Sequence, residues 1–110
     1  MAEENDRRMI EQVLAGSEPA FRQIFDQHSQ PIFNYVRRMT RSGTEAEDIV
    51  QETFIRFWVS RDRFDPGRVK LTTWLHRIAH NLCVDYFRQR QLQERQVPVQ
   101  SDSQDSADTD

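Results

Sequence analysis

Apolar residues recur along this chain at intervals of three and four, the spacing that places side chains on one face of an α-helix. Met9, Ile10, Val13 and Leu14 make a short first stripe that ends at Gly16. They predict a helix over residues 6–15 with Asn5 as its candidate cap. Phe21, Ile24, Phe25, His28, Ile32, Tyr35, Val36 and Met39 keep to a second stripe, opened by Ser17 as N-cap with Glu18 and Pro19 in the first turn. Pro31 falls inside that stripe; because the apolar register survives on both sides, it should kink the helix and not end it. Gly43 is expected to close the segment.

Thr44 and Glu47 stand at capping-box spacing ahead of a third stripe, Ala46, Ile49, Val50, Thr53, Phe54, Phe57 and Trp58. Residues 60–71, SRDRFDPGRVKL, read as a loop with Asp65-Pro66-Gly67 as its turn. Thr72 or Thr73 is then expected to cap a fourth helix, whose stripe runs Trp74, Leu75, Ile78, Ala79, Leu82 and Tyr86 and ends near Arg90. The fold class this predicts is all-α, a compact bundle of three main helices plus a short N-terminal helix. Its expected core is Phe21, Phe25, Val36, Ile49, Phe54, Phe57, Trp74, Ile78 and Leu82. Residues 1–96 form the expected domain, and 97–110 an acidic tail or linker with too few apolar residues to offset the entropy of ordering.

Composition narrows the class. The 110 residues suffice for one small domain. No apolar run approaches the roughly 20 residues of a spanning helix, and the polar, acidic N-terminus lacks the pattern of a secretion signal. A single cysteine excludes an internal disulfide and fits a reducing cytoplasm, so the expectation is a cytoplasmic protein without a membrane partner.

The net charge of −3 is an average of unlike parts. Asp102, Asp105, Asp108 and Asp110 make the tail acidic without a base. Glu45, Glu47, Asp48 and Glu52 crowd the start of the third helix, again without a base, where the first three also suit the positive end of the helix dipole. From Arg68 to Arg95 the bases Arg68, Lys70, Arg77, Arg88, Arg90 and Arg95 outnumber the two acids Asp85 and Glu94. An acidic helix and a basic helix on one small domain suggest two different partners.

Enzyme chemistry finds little support, because the three glycines are isolated and form no phosphate loop, and the acids lie mostly on exposed helix faces. His76, His80 and Cys83 stand at i, i+4 and i+7, a spacing that can turn three metal ligands to one side. No second His/Cys pair supplies a fourth ligand, so surface histidines and a buried thiol are the favoured explanation of these residues. Arg77, His80, Asn81, Asp85 and Arg88 lie off the apolar stripe of the fourth helix. They offer phosphate contacts from arginine and base-edge hydrogen bonds from asparagine. The preceding loop adds Arg61, Arg63, Arg68 and Lys70 with Phe64, a mixture suited to holding an unstacked base. On the residues alone, nucleic-acid binding and an ordinary solvated basic face both remain open. So do a helical protein-interaction module and a His/Cys metal-binding regulator without DNA binding.

Three stretches in this order, EAEDIVQETFIRFW, RDRFDPG and TTWLHRIAHNLCVDYFRQRQ, resemble the second conserved region of extracytoplasmic-function (ECF) RNA polymerase sigma factors. The resemblance covers residues 20–91, including AFRQIFDQHSQPIFNYVRRMT, which is similar to the family's opening helix. It implies a non-enzymatic domain without cofactor or bound metal that docks on core RNA polymerase and opens promoter DNA. The acidic helix would meet the β′ clamp helices through Asp48, Gln51, Glu52 and Arg56. The loop and fourth helix would recognise the −10 element and hold a flipped base of the non-template strand. The corresponding residues are Arg63, Phe64, Gly67, Arg68, Lys70 and Leu71 in the loop, and Arg77, His80, Asn81, Val84, Asp85 and Arg88 on the helix. An anti-sigma factor is a further implied partner. Trp74 matches a family aromatic, but its place on the apolar stripe reads as core before it reads as a melting wedge. Family members usually carry a second helical domain that reads the −35 element, so the chain is expected to be an excised region 2 or a factor without that reader. The loop sequence PGRVKLTT follows no single family pattern, which leaves the preferred base open.

Overall fold

Four helices, α1 (Ala2–Leu14), α2 (Glu18–Thr40), α3 (Gly43–Val59) and α4 (Leu71–Arg95), are joined by short connections, with a 3₁₀ turn at Arg61–Arg63. They are seen in a computed structural model that describes the backbone of residues 2–95 and the side chains of residues 7–94. Among the described residues there is no strand. The expected acidic tail lies outside them.

Local chemistry accounts for most of the helix ends. At Gly16 the backbone takes φ +98°, a left-handed conformation that a side chain would oppose. The Ser17 amide then donates to the Gln12 carbonyl and the Gly16 amide to that of Val13, both at 2.9 Å, which closes α1 as a Schellman motif. Ser17 caps α2, its hydroxyl accepting from the Ala20 amide at 3.2 Å. α2 runs unbroken through Pro31, which is exposed.

Five expected boundaries move. α1 starts at Ala2, so Asn5 lies inside the helix and does not cap it. Arg41 ends α2 in the left-handed region at φ 60°, its amide donating to the Arg37 carbonyl at 2.8 Å, while Gly43 is already the first residue of α3. The cap of α3 is Ser42, not Thr44: its extended backbone brings the hydroxyl to the Glu45 amide at 3.2 Å. α4 begins at Leu71, ahead of both expected caps, because the Trp74 amide already donates to the Lys70 carbonyl at 3.0 Å and the Leu71 side chain is drawn into the core. At its far end α4 continues past Arg90 to Arg95 through good helix formers, with an Arg90–Glu94 ion pair at 3.6 Å.

α2 packs on all three other helices, and α3 packs on α4. The seam between them holds Ile24, Ile32, Val36, Phe54, Phe57, Leu75, Ala79 and Cys83, all buried. Each large side chain there contributes about 1.5–3 kcal/mol by leaving water. Thr53 is buried too, and its hydroxyl is satisfied by donating to the Ile49 carbonyl at 2.7 Å. Of the expected core, Val36, Ile49, Phe54 and Phe57 are buried, whereas Phe21, Phe25, Trp74, Ile78 and Leu82 form its half-buried rim. Aromatic contacts bind the layers, among them Phe25 edge-on to Phe54 at 4.9 Å and Phe21 to Trp58 at 5.0 Å.

Candidate nucleic-acid interface

The segment between α3 and α4 is held at both ends. Arg61 stacks on Trp58 at 4.0 Å and donates to the Trp58 carbonyl at 2.7 Å, so this arginine anchors the loop and is not free for a ligand. The Asp65 carboxylate accepts the Gly67 amide at 3.0 Å, and its carbonyl accepts from Arg68 and Val69 at 3.0 and 3.2 Å. A Cβ on Gly67 would come within 3.3 Å of that carboxylate, which explains a glycine in so tight a turn.

Inside this turn the chain divides sharply. Phe64 is 4% exposed and Leu71 7%, whereas Arg63, Gly67, Arg68 and Lys70 face solvent. Phe64 lies edge-on to Phe57 at 6.0 Å and tilted against Trp74 at 5.7 Å, joining loop, α3 and α4. The side chains of Phe64 and Leu71, which the resemblance implicates in the base-holding pocket, are thus both in the core of this structure, where each fills space between the two helices. Trp74 is half-buried on the core rim. Its indole N–H is buried without a hydrogen-bond partner, and the Arg77 guanidinium lies 6.0 Å from its ring.

Along α4, Arg77, His80, Asn81 and Arg88 are exposed, and Val84 and Asp85 half-exposed, on one helical face that continues from the loop bases. Asp85 and Arg88 approach to 3.8 Å in water, a contact too exposed to fix either group. His80 is fixed from outside its own helix: its Nδ1 lies 2.8 Å from the Tyr35 hydroxyl on α2. Tyr35 also meets the His76 ring edge-on at 5.5 Å, and His76 Nδ1 donates to the Thr72 carbonyl at 2.9 Å. The Tyr35 contact was not foreseen, because its stripe position signalled core alone.

His76, His80 and Cys83 do not converge. The histidines are engaged as just described, Cys83 is fully buried, and among the described residues no group of three His, Cys, Asp or Glu side chains could hold a metal. Burial pushes the Cys83 thiol above its ordinary value and so keeps it protonated and inert. The Tyr86 hydroxyl, accepting from the Arg90 side chain at 3.1 Å, raises the Arg90 guanidinium further above its ordinary value, with Glu94 adding to it.

A second surface lies on α3. Asp48, Gln51 and Arg56 are exposed and Glu52 is half-exposed, bonded to Arg56 at 3.0 Å. Ile55 and Val59, exposed on the same helix, were not singled out by the sequence reading. An open groove of about 310 Å³ borders this surface between α2 and α3, with Phe25, Phe33 and Val50 beneath Glu47 and Gln51.

Comparison with known proteins places the whole arrangement among relatives. The family model for sigma-70 region 2 matches residues 24–93. The ECF RNA polymerase sigma factor SigW of Bacillus subtilis (strain 168) is 44% identical over 84 residues, covering 76% of this chain and 44% of that protein. The RNA polymerase sigma factor CarQ of Myxococcus xanthus is 33% identical over 98 residues, covering 89% of this chain and 53% of that one. The chain thus spans about half the length of these curated relatives. Among solved structures, the NMR structure of an engineered region 2 of sigmaE in complex with GTAAAA superposes with a TM-score of 0.71. It is 34% identical, and the match covers 80% of this chain and 93% of that one.

Proposed function

The chain belongs to the sigma-70 region 2 family, and on that premise we propose that it binds core RNA polymerase and opens the promoter −10 element by capturing non-template bases. The observation that carries the reading is the separation of surfaces. The exposed bases of the 63–70 turn continue onto the outward face of α4, while the acids gather on α3. The engineered region 2 of sigmaE, a fold neighbour, is in complex with GTAAAA, and that likeness supports a nucleic-acid ligand for the basic face here.

The work is binding without chemistry. Arg68, Lys70, Arg77 and Arg88 position the backbone through phosphates, and Asn81 and His80 offer hydrogen bonds to base edges. Arg63 and Gly67 shape the exposed wall of the turn. Phe64 and Leu71 act from beneath, holding the turn against α3 and α4. Val84 and Asp85 border the same face. Asp48, Gln51, Glu52 and Arg56 dock on the β′ clamp helices of the polymerase, with an anti-sigma factor as competitor for the exposed surfaces. Residues 1–96 are the working unit, residues 97–110 a linker, and the compartment the cytoplasm. No helix among the described residues is long and apolar enough to cross a membrane.

Fluorescence titration with non-template −10 oligonucleotides of varied sequence tests the reading. Affinity should fall steeply with added salt, as counterion release requires, and one sequence should be preferred over its scrambled version and over duplex. Weak, salt-insensitive binding to all of them would leave a protein-interaction module as the better description.

A further inference from the structure

Two histidines of α4 meet one tyrosine of α2. Tyr35 sets its hydroxyl 2.8 Å from Nδ1 of His80 and its ring edge-on to His76 at 5.5 Å. His76 turns its own Nδ1 to the Thr72 carbonyl at 2.9 Å. A carbonyl oxygen only accepts, so a neutral His76 carries its proton on Nδ1 and keeps a lone pair on Nε2. The partner of His80 is a phenol, which can donate or accept. A phenolic O–H is a stronger donor than a neutral imidazole N–H, and an imidazole lone pair is a stronger acceptor than a phenolic oxygen, so Tyr35 donates and Nδ1 of His80 accepts. The proton of a neutral His80 is then confined to Nε2, and two histidines one turn apart present opposite tautomers. The ring nitrogens point in diverging directions. With Nδ1 turned to α2, the Nε2–H of this exposed side chain is directed to the solvent side of α4, where Arg77 and Asn81 are exposed beside it.

We propose that Tyr35 is a positioning residue for DNA binding: it fixes His80 as a hydrogen-bond donor, Nε2–H outward, to an acceptor atom of the bound strand, a phosphate oxygen or a base-edge oxygen or nitrogen. The inference rests on the reading of α4 as the DNA-binding face and deepens it by giving His80 one hydrogen-bonding polarity. A free imidazole shares its proton between two nitrogens and turns about its side-chain torsions, so binding it to an acceptor costs the selection of one tautomer and one rotamer. The Tyr35 hydroxyl makes that selection before the strand arrives. The body of the tyrosine is half-buried on the core rim, so its hydroxyl is delivered from a position the bundle already holds. The polarity also restricts the ligand. An exocyclic base amine, itself a donor, finds no lone pair at Nε2.

The test joins NMR of the full chain alone to fluorescence titration with single-stranded −10 oligonucleotides. Imidazole nitrogen shifts in mildly alkaline buffer should give Nε2–H for His80 and Nδ1–H for His76, and Tyr35→Phe should change only His80, to a mixture of tautomers. That variant keeps the ring and removes the hydroxyl, so melting should barely move while affinity for the preferred strand falls roughly two- to tenfold, the range for pre-ordering one side chain. His80→Ala should lose at least as much, and adding Tyr35→Phe to it should cost nothing further, because the hydroxyl acts through the imidazole. His80→Gln, whose amide nitrogen stands near the place of Nε2 and always donates, should recover part of the affinity and no longer respond to Tyr35→Phe. An equal loss on a scrambled strand identifies the acceptor as phosphate, and a loss confined to the preferred strand identifies it as a base edge. Nδ1–H on His80 in the parent, or full affinity in Tyr35→Phe beside a weakened Arg88→Ala, would overturn the positioning role and leave the DNA-binding reading standing. A further loss on adding Tyr35→Phe to His80→Ala would overturn it too, since the tyrosine would then act on the fold. Full affinity in Arg88→Ala as well as in Tyr35→Phe would remove both readings.

Discussion

Asn81 and Arg88 lie two turns apart on the exposed face of α4, close enough to meet one strand, yet their chemistry assigns them different work. Arginine meets phosphate at any sequence, so Arg88→Ala should weaken all oligonucleotides alike and lower the salt slope by roughly one unit. An amide can match a base edge, so Asn81→Ala should cost about 1–3 kcal/mol on the preferred element and little on a scrambled one. Titration of both variants against both strands at two salt concentrations checks this. Parallel losses for Asn81→Ala would shift the reading of bases to the 63–70 turn. Cys83 yields a second expectation, about stability. Its folded thiol is raised by burial, so the stabilisation it provides is fully present below the thiol's ordinary value and is lost as pH rises through the raised one. The stability advantage of the parent chain over Cys83→Ala should therefore narrow on the alkaline side, as melting across pH will show. An advantage that grows with pH would contradict the raised value.

At the scale of elements, the turn between α3 and α4 is built from the inside. Phe64 contacts Phe57 and Trp74, so the exposed bases on either side of it are carried by a ring they never leave. Phe64→Ala should cost about 3–5 kcal/mol, the range for deleting a buried ring, and should lower DNA affinity for every sequence because the turn loses its anchor. Phe64→Leu should recover much of both. If Phe64→Ala bound DNA poorly but melted as the parent does, the ring would be contacting bases directly, and the buried position would not be the one used in binding.

The whole molecule keeps its two charged surfaces on separate helices, and this predicts that they fail independently. Asp48→Arg and Glu52→Arg should weaken association with core polymerase without lowering affinity for single-stranded DNA. Arg88→Ala should do the reverse. Melting should barely move in any of the three, since exposed groups such as the Glu52–Arg56 pair contribute only about 0.3–0.5 kcal/mol. Pull-down on core polymerase set beside oligonucleotide titration separates the two effects. A variant that loses both partners together would mean that the surfaces communicate through the bundle.

The number and type of the helices, the cap at Ser17, the turn at Asp65 and the division of charge were all legible in the sequence, because each depends on residues within a turn or two of one another. Periodicity names a helical face without naming what the face meets. That is why Ser42 displaced Thr44 as the cap of α3: the left-handed residue Arg41 reverses the chain just before it, and only the observed backbone reveals this. It is also why Phe64 and Leu71, read as part of a polar loop, lie in the core. Their burial depends on a gap between α3 and α4 that exists only once those helices pack. Charge and spacing picked out the basic residues of the loop and of α4 as candidates, and the family resemblance supplied the rest. The Tyr35–His80 contact was not legible, because it joins residues 45 apart in sequence. Local free energies, written in neighbouring residues, were the sequence's to determine; which side chain fills which space was decided by the tertiary structure, since burial is a property of surfaces brought together from distant parts of the chain.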